Sequence, residues 1–113
     1  MSNCIFCKII AGEIPSQKAY EDDEILAFYD IAPSAPVHIL LVPKVHICSA
    51  DEITAQNSAV VARIFEVAAS LAREKDLGDG YRVVTNIGEN GRQSVRHLHF
   101  HLLGGRMLTE TFG

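Results

Sequence analysis

Residues 97–103 read His-Leu-His-Phe-His-Leu-Leu, an alternation of imidazole and apolar side chains. Successive side chains of a β-strand point to opposite faces, whereas a helix would scatter the three histidines around its axis. The alternation therefore predicts a strand over this segment, with neighbouring imidazoles about 7 Å apart on one face. The apolar residues between them then face a hydrophobic core.

The rest of the chain combines short strand patterns with one amphipathic helix. Strands are predicted over residues 18–21, 25–29, 37–42, 81–85 and 97–103, and a short apolar helix or turn over 4–11. A long helix with an apolar stripe is predicted to follow the capping-box sequence at Ser49 to Glu52 and to stop at Gly78. Short turns between strands favour an antiparallel α+β sheet over a doubly wound parallel one, in a single domain over residues 1–113.

Charge and cysteine content narrow the function classes. The formal net charge is −4 and there is no Lys/Arg-rich run, so we expect neither nucleic-acid nor membrane binding. The sequence also has no apolar stretch of membrane-spanning length and no secretory signal pattern. Three cysteines without an export signal predict reduced thiols and a cytoplasmic location.

Three interpretations of the aligned histidines are open from the residues alone. They can be polar residues on a solvated sheet face, although three of the chain's five histidines lie within this segment. They can bind a metal. Alternatively, one is a nucleophile while the others donate and accept protons, because neutral imidazole is a good nucleophile near pH 7.

The segment matches without a gap the signature of the histidine triad (HIT) family, His-φ-His-φ-His-φ-φ with φ apolar. The similarity extends to residues 28–33, 36–39, 42–46, the Asn86 loop, 93–94 and 104–106. The chain most resembles the Hint branch, the small nucleoside phosphoramidate hydrolases. This resemblance implies a five-stranded antiparallel sheet with one long helix and a short N-terminal helix. It also implies a homodimer, in which two sheets join into one of ten strands through the long helix and the strand after it.

The resemblance further implies cleavage of the P–N bond of adenosine or other purine nucleoside 5′-phosphoramidates, and possible action on acyl-adenylates. His99 would attack phosphorus and form a covalent nucleotidyl-histidine, His101 would act as general acid, and His38 would orient the nucleophile. The implied substrate contacts are Asn86, Gln93 and Ser94 near the phosphate, Asp30 at the ribose, and an apolar slot for the base formed by Ile5, Phe6, Ile9, Phe28 and Ile31. Taken singly, these residues have ordinary interpretations as core, turn or loop positions.

Cys4 and Cys7 have the C-x-x-C spacing of half a zinc site. A redox dithiol and a pair of buried reduced thiols are the alternatives. Some HIT-superfamily members complete such a pair with two histidines, and the matching positions here are His46 and His97. The resemblance therefore implies a structural zinc and no organic cofactor. Cys48 is interpreted as a reduced core thiol.

Two departures from the family pattern concern the leaving group. Arg92 stands where many relatives have glycine, and residues 107–113 lack the tryptophan that some Hint relatives carry. A dinucleoside polyphosphate hydrolase is one alternative, because the family's polyphosphate branch usually has a glutamine before the triad, as Gln93 is here; the Gln-Ser and Gly-Gly-Arg sequences nevertheless favour Hint. A nucleotide- or zinc-binding regulatory protein with incidental turnover is the other.

Overall fold

The structure, a computed structural model, describes residues 4–112. These residues form one antiparallel sheet with strand order β1-β2-β3-β5-β4. The elements are α1 (Ile5–Ile10), β1 (Lys18–Glu21), β2 (Ile25–Tyr29), β3 (Val37–Pro43), α2 (Ala59–Glu74), β4 (Arg82–Val84) and β5 (Phe100–Gly104). The predicted α+β class and five-stranded antiparallel sheet are confirmed. Within residues 4–112, no helix combines the length and apolar composition needed to cross a membrane.

Helices cover both faces of the central strands. Ile39 and Leu41 of β3 belong to a core with the buried stripe of α2, whereas Leu40 and Val42 pack in a second core with Phe6 and Ile9 of α1. A strand covered on both faces requires a continuous apolar run rather than an alternating one. This explains the uninterrupted apolar sequences of β2 and most of β3.

The strand register places the histidines on the α1 face. His101 lies opposite Leu40 and His38 lies opposite Leu103, two positions apart along the β3–β5 pair. Opposite residues of paired strands point to the same side of the sheet. His38 and His101 therefore share the face of Leu40, which α1 covers in part, while α2 closes the other face.

The last strand is shorter at its start than predicted. β5 begins at Phe100, and residues 97–99 pair with no strand. Leu98 instead donates its backbone N–H to the carbonyl of Ile47, in the loop after β3. The backbone of this segment therefore bonds to the loop after β3 and not to β3 itself, although β3 continues to Pro43. Nevertheless, Leu98, Phe100 and Leu102 all lie in the α2-side core, so the alternation of faces holds.

The predicted start of the long helix was wrong. Ser49 caps a single 3₁₀ turn, Ala50–Glu52, by accepting the N–H of Asp51, and Glu52 accepts the N–H of Cys48. The chain then becomes extended at Ile53, and α2 begins only at Ala59. The capping residues thus satisfy the amides of the turn, not those of the helix.

The end of that helix also differs from the prediction. α2 ends at Glu74, and Asp76, not Gly78, takes the left-handed conformation with φ 59°. Aspartate tolerates this region, and the N–H of Leu77 then bonds to the carbonyl of Ala72. Burial of Leu77 accompanies this reversal. The predicted strand over 81–85 is shortened to Arg82–Val84, and the strand predicted over 37–42 extends to Pro43.

Candidate active site and metal centre

His99 is held with one ring nitrogen occupied and the other free. Its side chain is 3% exposed, and Nδ1 lies 2.7 Å from the carbonyl oxygen of His97. A carbonyl oxygen only accepts, so Nδ1 carries the proton and Nε2 carries the lone pair. The hydroxyl of Thr85 donates to the carbonyl of His99 at 2.8 Å and so anchors the backbone of the same residue. The ring therefore presents Nε2 as a nucleophile.

Next to His99, His38 and His101 form a hydrogen-bonded pair in which His38 is the donor. The backbone N–H of Ser34 donates to His38 Nδ1 at 3.0 Å, so in neutral His38 the proton is on Nε2. That nitrogen lies 2.9 Å from Nδ1 of His101, which must accept. The remaining proton of His101 is then on Nε2. Since the His99 and His101 ring centroids are 5.1 Å apart, a donor stands next to the nucleophile.

Burial keeps these imidazoles neutral. Burial lowers the pKa of His99 and of His38, in both cases against the opposing effect of the Asp30 carboxylate. The pKa of His101 is lowered to about 4, chiefly by burial and further by the neighbouring His99 and His38. At neutral pH the site therefore holds neutral rings, which is the state in which imidazole is nucleophilic.

The resulting pH dependence of stability has a definite sign. Between pH 4 and the ordinary histidine pKa of about 6.5, the unfolded chain binds a proton at residue 101 that the folded chain does not. The part of the unfolding free energy that depends on a neutral His101 is therefore fully present above about pH 6.5 and is lost as the pH falls toward 4. From pH 6.5 to pH 5, we expect wild type to lose about 1–2 kcal/mol more unfolding free energy than His101→Asn.

Urea unfolding at the two pH values, with chelator present in both, measures this difference. Asparagine is uncharged and offers an acceptor to His38. The pH window excludes acidic groups such as Glu21, whose pKa of about 2 is held down by hydrogen bonds to Lys18 and Lys44 and whose ordinary value is 4.5. Equal losses in wild type and variant would contradict the assignment.

Apolar and acidic side chains border the triad. The edge of Phe6 meets the His99 ring at a centroid distance of 5.0 Å, and Phe6 also packs edge-to-face on Phe28 at 5.5 Å. Asp30 lies 3.4 Å from His38 Nε2, and its other oxygen accepts the N–H of Ala32. Among the remaining residues expected to line the base slot, Ile9 is buried, Ile5 is 46% exposed and Ile31 is fully exposed. The structure thus brings Phe6, Ile9 and Phe28 together and leaves Ile31 in solvent.

The loop before the triad is organised by Gln93. Its side chain accepts the N–H of Gly88 and donates to the carbonyls of Cys48 and Val95. All three bonds go to backbone groups, so Gln93 shapes the loop. Ser94 is exposed on a concave surface next to Arg92, while Asn86 is half-buried.

The four residues expected to bind metal come together at the end of α1. Cys4, Cys7, His46 and His97 place their ligand atoms within 4.8 Å of one another. His97 is fully buried, and its Nε2 donates to the carbonyl of Pro43 at 2.8 Å, which leaves Nδ1 free to face the cysteines. This Nδ1 lies 3.5 Å from Cys4 Sγ, 3.6 Å from Cys7 Sγ and 3.1 Å from His46 Nδ1. The cluster is therefore able to hold a metal ion.

Several residues of the two sites escaped the sequence analysis. Ser34 and Pro43 act through backbone groups, which every residue type supplies, so no sequence signal identifies them. Thr85 acts through its hydroxyl, but strand threonines are common. Cys48 lies with its sulfur 3.6 Å from His46 Nε2, at the edge of the metal cluster rather than in a core. Its position two residues after His46 was the only available signal.

A buried imidazole with one ring nitrogen left to act as an acceptor, next to a second imidazole that donates, is an arrangement that can support nucleophilic hydrolysis. Comparison with known proteins agrees. Residues 3–111 match the family described as "Scavenger mRNA decapping enzyme C-term binding". The purine nucleoside phosphoramidase of Escherichia coli K12 is 45% identical over 105 residues, covering 92% of this chain and 88% of that protein. The adenylylsulfatase HINT1 of Arabidopsis thaliana is 45% identical over 113 residues, covering 95% and 74%.

Solved structures give the same result. A HIT family hydrolase from Clostridium thermocellum superposes with a TM-score of 0.96 at 42% identity, covering 99% of this chain and 98% of that one. A histidine triad protein from Clostridium difficile superposes with a TM-score of 0.95 at 47% identity, covering 98% and 97%. The chain belongs to the histidine triad family, and it is a hydrolase.

Proposed function

We propose that this hydrolase cleaves the P–N bond of purine nucleoside 5′-phosphoramidates, with His99 as the nucleophile. The observation that carries the proposal is the free Nε2 of a buried, neutral His99 whose Nδ1–H is fixed on the carbonyl of His97. The phosphoramidase activity named for the E. coli relative supports this substrate class. Acyl-adenylates are a second class with the same nucleotidyl group.

In the first step, His99 Nε2 attacks the α-phosphorus and the P–N bond breaks. The amine leaves with the electron pair of that bond and takes a proton from His101. In the free protein the pKa of His101 is about 4, but a bound phosphate brings negative charge that favours the protonated ring. The nucleotidyl-histidine ring becomes cationic, and the bond from Nδ1–H to the His97 carbonyl stabilises that charge.

In the second step, water attacks the same phosphorus and the P–Nε2 bond breaks. His101, neutral after the first step, accepts a proton from this water, and His99 leaves as neutral imidazole. The products are a nucleoside monophosphate and an amine, and both histidines return to their starting protonation states. In the resting site, His38 keeps the proton of neutral His101 on Nε2, because Ser34 fixes the proton of His38 on its own Nε2 and His101 Nδ1 accepts it.

The remaining residues bind the nucleotide in this proposal. Asp30 accepts hydrogen bonds from the ribose hydroxyls, and Asn86 and Ser94 contact phosphate oxygens or the leaving group. The base lies in a slot of apolar side chains comprising Ile5, Phe6, Ile9, Phe28 and Ile31. The edge-to-face contact of Phe6 and Phe28 supports the slot, and exposed Ile31 would pack only when a base is present. Gln93 contributes through the shape of its loop.

We further propose that the Cys/His cluster binds a structural zinc ion. Zinc with sulfur ligands at about 2.3 Å and nitrogen ligands at about 2.0 Å separates neighbouring tetrahedral ligands by roughly 3.3–3.8 Å. Four of the six separations in the cluster are 3.1–3.6 Å, close to this range, and all ligand atoms lie within 4.8 Å of one another. Burial and the adjacent Cys4 raise the pKa of Cys7, so the metal must displace thiol protons on binding. Four protein ligands leave no open position, so zinc would fix α1 against His97 and take no part in the chemistry.

A homodimer and a cytoplasmic location complete the proposal. β4 is an edge strand of the sheet, and Phe65 of α2, which packs on Phe100 of the neighbouring strand β5, is 48% exposed. Pairing with a second copy would cover this edge. Reduced thiols at the metal cluster favour a reducing compartment.

A panel of substrates tests the function. It contains an adenosine 5′-phosphoramidate, an acyl-adenylate, diadenosine tetraphosphate and AMP. We expect the phosphoramidate to have a kcat/KM at least about tenfold above the polyphosphate, because amine departure needs only the one proton that His101 supplies. A reversed order would identify a dinucleoside polyphosphate hydrolase. Tight AMP binding without turnover of any substrate would identify a regulatory protein.

A further inference from the structure

In the metal cluster, His46 has an unusual partner at Nε2, the ring nitrogen that points away from the cluster: the sulfur of Cys48. His97 is oriented by a backbone carbonyl, that of Pro43. His46 points Nδ1 into the cluster, 3.2 Å from Cys7 Sγ, and its Nε2 lies 3.6 Å from the sulfur of Cys48. Cys48 is thus a third thiol next to the cluster, and it contacts a ligand without facing the site itself.

From this geometry we infer that Cys48 is a positioning residue for the metal ligand His46. A neutral imidazole that binds a metal through Nδ1 carries its proton on Nε2, and that proton needs an acceptor when the ring is partly buried. A cysteine sulfur is a weak acceptor. By accepting from Nε2–H, Cys48 selects the tautomer whose lone pair faces the cluster. This inference rests on the proposed metal site.

The main chain fixes where the Cys48 sulfur lies. The N–H of Cys48 donates to the carboxylate of Glu52 at 3.0 Å, and its carbonyl accepts from the side chain of Gln93 at 2.6 Å. These two bonds fix the peptide groups before and after the Cα atom of Cys48. Because Gln93 also organises the loop before the triad, the orientation of His46 is tied to the loop next to the active site.

The test is zinc affinity, measured by competition with a chromophoric chelator on the full-length protein. Outer partners of metal-bound histidines typically change affinity by about 10–100-fold, so Cys48→Ala is expected to raise the zinc dissociation constant by about 10-fold or more. Cys48→Ser keeps an acceptor and should recover part of the loss. Val45→Ala is the matched control, because Val45 precedes His46 and is 61% exposed; its affinity should equal that of wild type.

Two further measurements distinguish a role of Cys48 in orienting His46 from a role in packing alone. In the metal-free proteins, wild type and Cys48→Ala should have the same Tm, since the thiol acts on the bound state. In the zinc-bound wild type, ¹⁵N NMR should show a protonated Nε2 on His46. Unchanged zinc affinity in Cys48→Ala, an equal fall of metal-free and zinc-bound Tm, or a His46 bound through Nε2 would each overturn the role of Cys48. A wild type that binds no zinc would overturn the metal site together with it.

Discussion

Replacing His99 with glutamine is expected to lower kcat/KM for a nucleoside phosphoramidate by more than about 10⁴-fold, and to abolish the covalent intermediate. Loss of a catalytic nucleophile removes the reaction path itself, so the effect is larger than that of removing a proton donor. Glutamine roughly preserves side-chain volume and hydrogen-bonding capacity near Phe6, so the packing around residue 99 is largely retained. The variant therefore tests chemistry more than folding.

Two measurements make this prediction specific. Steady-state kinetics give the loss of turnover, and mass spectrometry of the intact protein during turnover detects the mass of one nucleotidyl group on wild type. His101→Asn should slow the reaction by about 10²–10⁴-fold and still form the adduct, because its nucleophile is intact. Glu74→Ala, at the exposed end of α2, should match wild type. Retention of the adduct in His99→Gln would show that the nucleophile is another residue.

Replacing Cys4 with serine is expected to remove zinc and the stability that comes with it. Bound metal in wild type should approach one ion per chain, and in the variant it should be close to zero. At free zinc about 1,000-fold above its dissociation constant, the wild type gains about 4 kcal/mol of unfolding free energy that the variant lacks. Metal analysis and thermal unfolding measure both quantities.

Serine is a matched substitution at this position. Cys4 is the N-cap of α1, where its sulfur accepts the N–H of Cys7 at 3.3 Å. Serine is among the best N-cap residues, so the helix cap is kept while the thiolate ligand is lost. Chelator should lower the Tm of wild type to that of Cys4→Ser and leave the variant unchanged. Equal zinc content in the two proteins would contradict the site.

Zinc loss should also affect the active site, through Phe6. This residue precedes Cys7 in α1, and its ring contacts both His97 and His99. Without the metal, α1 is no longer held against His97. The Phe6 side chain, which lines the base slot, is then no longer fixed in position. The expected effect in Cys4→Ser is a rise in KM larger than the fall in kcat, because the nucleophile itself directly precedes β5, which is held in the sheet without the metal.

The alternation over 97–103 predicted the side of the sheet on which each residue lies, and it did so because the strand period of two is a local property of the backbone. The alternation did not reveal where pairing begins. β5 starts only at Phe100, because the residues before it turn to the loop after β3, where the N–H of Leu98 bonds to Ile47. Likewise, the capping sequence at Ser49 predicted a helix start but could not indicate that the helix of residues 50–52 would last a single turn.

The sequence by itself determined the fold class, the face shared by the histidines proposed to be catalytic, and the candidate metal ligands, because these follow from local periodicity and from motifs that resemble a known family. Only the tertiary structure decided which nitrogen of each ring holds a proton. Those protons are set by backbone groups of Ser34, Pro43 and His97. Similarly, Cys4 meets His97 across 93 residues of chain, and such long-range contacts form only when the whole sheet and both helices are in place.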